Sequence, residues 1–402
     1  MTTLEPTSRI EPCLLESYPE ALADIIAELA LAASTLGARL HPASAASLAE
    51  LVRVMNCYYS NLIEGHNTRP ADIERALADD LDADEERRDL QVEARAHIRV
   101  QREVDALCQA NRYGEPASVE RVLWLHRSFY EGASSRMLTV RHRAGDYLLS
   151  PGVFRRDPRN DVLVGRHQPP SNDRVLEFMQ YFERRYRLEK LGASARLVAM
   201  AAAHHRFNYI HPFVDGNGRV SRLMSHAMAW HAGIGAHGLW SISRGLARGL
   251  SDAGEYKRMM DAADSPRRGD LDGRGNLSLE ALVEFVTWFC RIALDQVTFM
   301  SGLFDLGGLE DRLRAYVHQR LHMEGDAGTL VAEVLRRGEL ARGDAEHVLG
   351  RRERTARTVL SGLVRAGLLR SETAKGKVRL HFSVASADFL FPRLFGAQLA
   401  GA

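Results

Sequence analysis

Residues 204–224 read HHRFNYIHPFVDGNGRVSRLM and contain the pattern that decides the fold of the central region. A helical apolar run ends at His211-Pro212, the loop 215–218 follows, and we expect a new helix to open at about Arg219. Glycines on both sides of the loop asparagine allow positive φ and let successive N–H groups point at one anion. The positive end of the new helix adds to this effect, so the segment predicts a polyphosphate site.

The side chains of this segment suit the same ligand. Arg219 and Arg222 share one helix face and lean towards its N-terminus, where both can bind phosphate oxygens. Asp215 offers an oxygen ligand for Mg²⁺, which proteins commonly hold with one or two carboxylates plus phosphates and water. His211 suits a general base, because the ordinary pKa of histidine is about 6.5. Together these residue types predict transfer of a nucleotide to a hydroxyl group.

This stretch resembles the Fic family, whose motif H-P-F-x-D/E-G-N-G-R-x-x-R is matched from His211 to Arg222 without a substitution. The resemblance implies that His211 is the catalytic base, that Asp215 holds Mg²⁺ and that the loop and both arginines bind the phosphates of ATP. The nucleotide-binding residues that it implies are Gly216, Asn217, Gly218, Arg219 and Arg222. The implied activity is transfer of AMP to a Ser, Thr or Tyr hydroxyl of a target protein, which can be the protein itself.

A second motif lies upstream, in CYYSNLIEGHNT at residues 57–68. Ser60 and Glu64 are one helical turn apart on one face, and Gly65 suits the end of the helix. The pattern resembles the inhibitory helix of Fic proteins, S/T-x-x-x-E-G/N. The resemblance implies that Glu64 pairs with Arg222 and takes the place of the nucleotide γ-phosphate. Since such a pair contributes about 1.5–3 kcal/mol, we expect the resting protein to be nearly inactive.

Residues 143–170 interrupt the helical pattern. Gly, Pro, Asp and Asn surround the apolar runs 147–149 and 162–164, which predicts a β-hairpin at about 145–165. Its position resembles the flap of Fic proteins, an exposed edge that holds a target segment as an added strand. The target-binding residues that we assign to it are Leu148, Leu149, Ser150, Val153 and Phe154. A plain surface hairpin would show the same pattern.

The region after residue 306 has the pattern of a winged helix. A Gly-Gly pair at 307–308 predicts a turn, helical patterns run to residue 366, and apolar residues then alternate around a turn at 373–377. Basic residues mark the exposed start of the last helix and the wing. They are Arg351, Arg352, Arg354, Arg357, Lys375, Lys377 and Arg379. Such a surface suits DNA, but winged helices also bind proteins or form dimers, so DNA and a homodimer both stay open as partners.

Apolar residues recur at helical spacing through most of the chain. We therefore expect a mainly α fold, with a Fic-type helical bundle, a β-hairpin flap and then a winged-helix domain. The expected domains are an N-terminal helical region at 1–115, a catalytic core at 116–305 and a winged helix with its tail at 306–402. The inhibitory helix is expected at about 47–65, within the N-terminal region.

The composition excludes several classes of protein. The 402 residues are 45% hydrophobic and 26% charged, which is typical of a globular chain and excludes a disordered or collagen-like one. A net charge of +1 excludes a global field that would draw the molecule to nucleic acid or lipid. Four cysteines without a CxxC pair argue against a zinc site or a disulfide framework. With no signal-like N-terminus and no apolar stretch of about 20 residues, we expect a soluble cytoplasmic protein without membrane contact.

Three functional interpretations follow from these motifs. The leading one is a Mg-dependent protein adenylyltransferase that Glu64 inhibits. A second keeps the site but changes the reaction to removal of AMP or transfer of another phosphate-containing group. Glu64 discriminates between these, because a glutamate beside the nucleotide can position water for removal but only obstructs transfer. A third is a DNA-binding regulator whose Fic domain senses nucleotide, and His211 counts against it because a sensor needs no base.

Overall fold

The computed structural model describes residues 5–141, 145–161 and 167–396, and they fold mainly into α-helices. The helices are α1 Glu20–Ala38, α2 Pro42–Ile63, α3 Pro70–Leu77, α4 Glu85–Gln109, α5 Val119–Phe129, α6 Ser135–Leu138, α7 Val175–Arg185, α8 Ala193–Ile210, α9 Asn217–His231, α10 Ile242–Arg248, α11 Glu255–Ala263, α12 Leu279–Leu303, α13 Leu306–Gln319, α14 Gly325–Arg337, α15 Asp344–Leu349, α16 Glu353–Arg365 and α17 Val384–Leu390. The strands are β1 Thr139–Val140, β2 Tyr147–Leu148, β3 Leu369–Arg370 and β4 Arg379–Leu380.

The core surrounds α8, which is buried on all sides between α9, α12 and α7. Its middle carries the small residues Ala199 and 201–203, all fully buried. Small side chains on every face let neighbouring helices approach closely, and a helix that is apolar all round belongs at the centre of a fold. The C-terminal end of α8, which leads directly to His211, is therefore tightly packed.

Helix α1 packs along α12. By length and composition α1 could also span a membrane, with a mean hydropathy of 1.5, so the expectation that no such stretch exists is not met by this criterion. In this fold its side chains Leu22, Ile26 and Leu29 are buried in the core. Core packing thus accounts for these three residues, while 33% of the apolar window of α1 is buried in all.

Helix α2 begins at Pro42, five residues before the predicted start, and Gly65 closes it with a φ of 84°. One of its faces carries a polar stripe, which we define as Arg53, Asn56, Ser60 and Glu64. Three of these four residues are buried. Two of them bond to neighbouring elements. The Nε atom of Arg53 lies 2.8 Å from Asp105 Oδ2 on α4, and the Asn56 side chain bonds Gln101 on α4 and Ser241 just before α10. Because these groups are satisfied, the polar stripe packs without unpaired charge.

A short hairpin lies at the start of the predicted region. Strand β2 pairs with the upstream strand β1, with Thr139 opposite Leu148 and Val140 opposite Tyr147. The sequence prediction paired the run at 147–149 with the run at 162–164, which lies outside the described residues. The apolar pair Thr139-Val140 directly follows α6, and sequence alone did not separate it from that helix.

The C-terminal region contains α13 to α17 and the β3–β4 hairpin. The Gly-Gly pair at 307–308 lies in the first turn of α13 and not in the predicted turn, because the Asp305 side chain caps this helix through Gly308 N at 3.1 Å. Helices α14, α15 and α16 pack together, and Leu340 and Val378 form a bridge beside the hairpin. The order is three helices followed by two antiparallel strands.

The segment after α17, which we call the C-terminal tail (residues 391–396), packs on α2 and α10. The Tyr59 hydroxyl donates to the Leu394 carbonyl at 3.1 Å, and Arg244 donates to the same carbonyl at 3.3 Å. The rings of Tyr58 and Phe395 meet edge to face with centroids 6.0 Å apart. Residues 385–402 carried no prediction, since contacts so distant in sequence leave no local pattern.

Candidate active site

The loop between α8 and α9 brings the motif residues together. His211 ends α8 in the left-handed conformation, with φ 49° and ψ 61°, and Gly216 has a φ of 83° just before α9. Helix α9 begins at Asn217, two residues before the predicted start. Gly218 therefore lies in the first helical turn with ordinary φ, so only one of the two loop glycines is needed for backbone conformation. The N–H groups of this first turn have no partner within the helix and face the site.

Asn217 closes the loop. Its Oδ1 accepts from Phe213 N at 2.9 Å and its Nδ2 donates to Phe213 O at 2.9 Å. The side chain of Asn217 is therefore committed to the loop, and only its backbone N–H remains for an anion. The shape of the predicted anion site thus depends on a buried amide bridge.

His211 lies at the edge of the loop as a neutral imidazole. Burial, helped by the charge of Arg155, lowers the pKa of His211 to about 4. Its Nδ1 is buried and makes no hydrogen bond among the described residues, although the carbonyl of Asn208 lies close enough to favour the protonated ring. A proton on Nδ1, beside that carbonyl, would leave Nε2 as the nitrogen that accepts a proton from a substrate.

Asp215 is ionised and keeps one oxygen available. Burial works to raise the pKa of Asp215, but Arg219 and the Tyr130 hydroxyl outweigh it and lower the pKa to about 2. Both partners bond Oδ2, each at 2.7 Å. Within the described residues Oδ1 has no hydrogen bond, and no cluster of three His, Cys, Asp or Glu side chains forms a closed metal site. One exposed carboxylate oxygen suits a cation that completes its coordination with phosphates and water.

Arg219 is held by protein groups. Its guanidinium is buried, lies 2.8 Å from Glu93 Oε1 and 2.7 Å from Asp215 Oδ2, and stacks over the Phe129 ring at 5.0 Å. Phosphate binding by Arg219 stays a prediction, because in this structure its guanidinium is engaged by two carboxylates. Arg219 organises Asp215 and Glu93 in this state.

Arg222 contacts α2 instead of an open anion site. Its Nη2 lies 2.6 Å from Glu64 Oε1, and its Nε donates to Ser60 Oγ at 2.9 Å. The side chain of Arg222 is 1% exposed and that of Glu64 is 28% exposed. Burial works to raise the pKa of Glu64, but Arg222 and Arg219 lower it below its usual range, so the pair is charged at neutral pH.

The carboxylate of Glu64 lies over the first turn of α9. A Cβ atom placed on Gly218 would lie 2.4 Å from Glu64 Oε1 and 2.9 Å from Arg222 Nη1. A side chain at this position would have to shift the ends of Glu64 and Arg222, so glycine leaves room for their ion pair. A protein carboxylate thus occupies the space that the helix start offers to an anion.

The predicted flap residues divide into two groups. Leu148 is 61% exposed and Val153 40% exposed, and Ser150 is also exposed. Leu149 and Phe154 are buried, and Phe154 packs on Phe213 with ring centroids 5.2 Å apart. The prediction that all five face a target is wrong for these two, because alternate residues of an extended segment face opposite sides.

Four further residues line this site and were not predicted: Glu93, His126, Tyr130 and Arg155. The His126 ring stacks on Phe213 with centroids 3.8 Å apart, and Arg155 donates from Nε to the His211 carbonyl at 2.8 Å. Three of the four precede the motif by more than 80 residues, and no short pattern marks them.

Comparisons with characterised proteins agree with this geometry. Residues 116–229 match the sequence model of the Fic/DOC family. Relatives named protein adenylyltransferase Fic, from Drosophila erecta and Drosophila melanogaster, are 42% and 43% identical to this chain over 82 residues. That stretch is 20% of this chain and 16% of each relative, so the chain matches only a small part of their length.

Solved structures extend the likeness over most of the chain. A Fic family protein from Desulfovibrio desulfuricans G20 superposes with a TM-score of 0.52 at 17% identity, covering 90% of this chain and 97% of that one. Fic-1 from C. elegans superposes with a TM-score of 0.53 at 15% identity, covering 71% and 73%. At these identities the likeness concerns the fold. The chain therefore carries a Fic/DOC family domain, which covers residues 116–229 and includes the loop between α8 and α9.

Proposed function

We propose that this protein transfers AMP from ATP to a hydroxyl side chain of a protein, and that Glu64 inhibits the reaction. The observation that carries the proposal is the α8–α9 loop, where a neutral imidazole, an ionised carboxylate and the start of a helix lie together. The names of the Drosophila relatives, protein adenylyltransferase, support the same reaction.

Each group has a role in that reaction. His211 Nε2 accepts the proton of the target hydroxyl while its oxygen attacks the α-phosphorus of ATP. The bond from that phosphorus to the bridging oxygen breaks, and pyrophosphate leaves. The N–H groups at the start of α9 bind the phosphates. Asp215 Oδ1 would hold Mg²⁺, which supplies neutralisation of phosphate charge.

Inhibition follows from the place of Glu64. Arg222 is the cation available to the outer phosphate, and it is paired with a carboxylate at 2.6 Å. ATP in the reactive pose has to displace this pair, which is little exposed and poorly screened by salt. The resting enzyme therefore binds ATP weakly or in an unreactive pose.

The test is transfer of label from [α-³²P]ATP to protein with Mg²⁺, with [γ-³²P]ATP as a control for phosphorylation. We expect label with Glu64→Gly, far less with the wild type and none with Glu64→Gly combined with His211→Ala. If label came from the γ-phosphate, the reaction would be phosphorylation and not AMP transfer. Absence of label in every variant that still binds ATP would refute the proposal and favour a nucleotide-sensing domain.

Removal of AMP is the second candidate reaction, and the ionised Glu64 favours it. A carboxylate that is 28% exposed beside the phosphate position can orient a water molecule. Incubation of AMP-modified protein with the wild type and with Glu64→Gly separates the two reactions. Loss of AMP that requires Glu64 would assign removal to the resting form.

We also propose that residues 325–382 form a winged helix. Helices α14 to α16, the bridge at Leu340 and the β3–β4 hairpin follow in the order of that fold. The first turns of α16 expose Arg352, Arg354 and Arg357, which have no ion pair among the described residues. The wing residues Lys377 and Arg379 both pair with Glu339, and Arg351 pairs with Asp326, so the basic surface is smaller than predicted.

DNA binding by this region is tested with labelled duplex DNA in a fluorescence anisotropy titration at two salt concentrations. We expect binding that weakens with salt and is lost with Arg354→Glu and Arg357→Glu together. Binding that survives both changes would place DNA elsewhere.

A cytoplasmic location, a target protein and a homodimer remain predictions, and the four cysteines form no disulfide.

A further inference from the structure

Two buried side chains outside the motif connect the flap to the α8–α9 loop. Arg155 follows the flap and is 1% exposed, and His126 lies in α5 and is fully buried. A buried arginine needs hydrogen-bond partners for its charge, so its contacts show what it does.

Arg155 contacts three consecutive carbonyl groups at the end of α8. Its Nε donates to His211 O at 2.8 Å, its Nη2 donates to Ile210 O at 3.3 Å, and its backbone N–H donates to Pro212 O at 2.9 Å. Nη1 lies 2.9 Å from Asp161 Oδ1. The last carbonyls of a helix have no partner within it and carry partial negative charge, which Arg155 satisfies.

These contacts support a backbone conformation that is costly by itself. His211 has φ 49° and ψ 61°, a left-handed conformation that costs a non-glycine residue roughly 1–2 kcal/mol. The conformation turns the chain at the end of α8 and so decides where the imidazole points. A guanidinium that holds the carbonyls on both sides of the turn holds that direction.

His126 makes a parallel connection to Asp215. Its Nδ1 accepts from Gly152 N at 2.8 Å, so the ring proton lies on Nε2, which is 3.3 Å from the Asp215 carbonyl. Burial lowers the pKa of His126 to about 4 and keeps the ring neutral, as this pair of contacts requires. One ring thus joins the flap backbone to the residue that would hold the cation.

We propose that Arg155 is a positioning residue that holds the base His211 in its reactive orientation, and that His126 holds Asp215 in the same way. This inference rests on the proposed AMP transfer. Neither residue reaches the substrate in this arrangement, and each acts through the backbone of the residue that does. These contacts join the flap to the catalytic loop.

The charge of Arg155 gives the inference a second readout. The groups that face His211 are Arg155 and His167, which lower the pKa of its imidazole, and Asp215 and the Asn208 carbonyl, which raise it. Removing the charge of Arg155 should raise that pKa, whereas lysine at this position keeps the charge but cannot hold the Ile210 and His211 carbonyls as the guanidinium does.

The experiment compares Arg155→Lys and Arg155→Gln in the Glu64→Gly protein, with the exposed neighbour Arg156→Gln as matched control. Transfer rate, ATP affinity and the His211 pKa from an NMR titration are measured. We expect both variants to bind ATP normally and to lose about 100-fold in transfer rate, the cost of misplacing a reacting group by about 1 Å. Only Arg155→Gln should raise the His211 pKa, by about one unit.

The proposal is overturned if folded variants keep the transfer rate within about threefold and the pKa unchanged. Should Arg155→Gln unfold, Arg155→Lys still tests position, and Asp161→Asn removes one partner of Arg155 without touching α8. If the Glu64→Gly parent transfers no AMP, the proposed function fails, while the NMR titration still decides whether Arg155 sets the pKa of His211. His126→Gln should lower the rate and raise the Mg²⁺ requirement, and an unchanged Mg²⁺ requirement would remove His126 from the proposal.

Discussion

Replacement of Glu64 by glutamine should release the enzyme in part, and replacement by glycine should release it fully. The contact from Glu64 Oε1 to Arg222 Nη2 is 2.6 Å, and the arginine is 1% exposed. A hydrogen bond to a charged group contributes about 1.5–3 kcal/mol, which corresponds to about 10- to 150-fold in the balance between blocked and open states. Glutamine keeps the hydrogen-bond acceptor but loses the charge, and with it about half of this free energy. We therefore expect Glu64→Gln to transfer AMP about 4- to 12-fold faster than the wild type.

The assay is the initial rate of AMP transfer at ATP concentrations below saturation, with the dissociation constant of ATP measured in parallel. We expect the rate to increase from the wild type to Glu64→Gln and from Glu64→Gln to Glu64→Gly. The pKa of Glu64 is lowered, so the carboxylate stays ionised above about pH 5 and the ratio between glycine variant and wild type should be constant from pH 5.5 to 8. Equal rates for all three proteins would refute inhibition by Glu64. A glutamine variant as inactive as wild type would assign the effect to bulk and not to charge.

Three further predictions follow. The pKa of His211 is lowered to about 4, so the base is already deprotonated at neutral pH. The transfer rate of Glu64→Gly should therefore be constant from pH 6 to 8 and fall only as the pH approaches that pKa. A decline already at pH 6.5 would contradict this. Glu93→Gln removes the charge of one of the two carboxylate partners of the buried Arg219, at 2.8 Å, while Asp215 at 2.7 Å remains, and should lower the free energy of unfolding by about 1.5–3 kcal/mol in urea, whereas the exposed control Glu103→Gln should change it by less than about 0.5. Removing the residues after Leu390 uncovers the surface of α2 on which the C-terminal tail packs. Since each lost apolar side chain contributes about 1.5–3 kcal/mol, the free energy of unfolding should fall by roughly 4 kcal/mol or more. An unchanged urea midpoint would show that the tail does not stabilise α2.

Local patterns predicted the parts of the site that lie within one or two helical turns. The order of His211, Asp215 and Arg222 along the motif, and the helical spacing of Ser60 and Glu64, are properties of neighbouring residues. The ion pair between Glu64 and Arg222 joins residues 158 apart, and only the resemblance to a family made it predictable.

Tertiary partners could not be predicted in the same way. Arg219 looks free on its own helix, and Glu93, which holds it, lies on α4, a helix whose sequence carries no signal for this pairing. The pairing of β2 with β1 likewise left no local signal, because Thr139–Val140 directly follows a helix. Sequence reasoning placed α9 at Arg219 because it read Gly218 as a loop residue, whereas its lack of a side chain makes room for Glu64.

The polar stripe of α2 bears on how the protein behaves once it is active. If the end of α2 separates from α9, the surfaces uncovered include those of Ser60 and Glu64, the two residues of the stripe that contact Arg222, and water solvates both readily. Tyr58 and Tyr59 can remain covered by the C-terminal tail. Because exposed apolar patches are what lead proteins to aggregate, opening at this polar contact adds little surface of that kind.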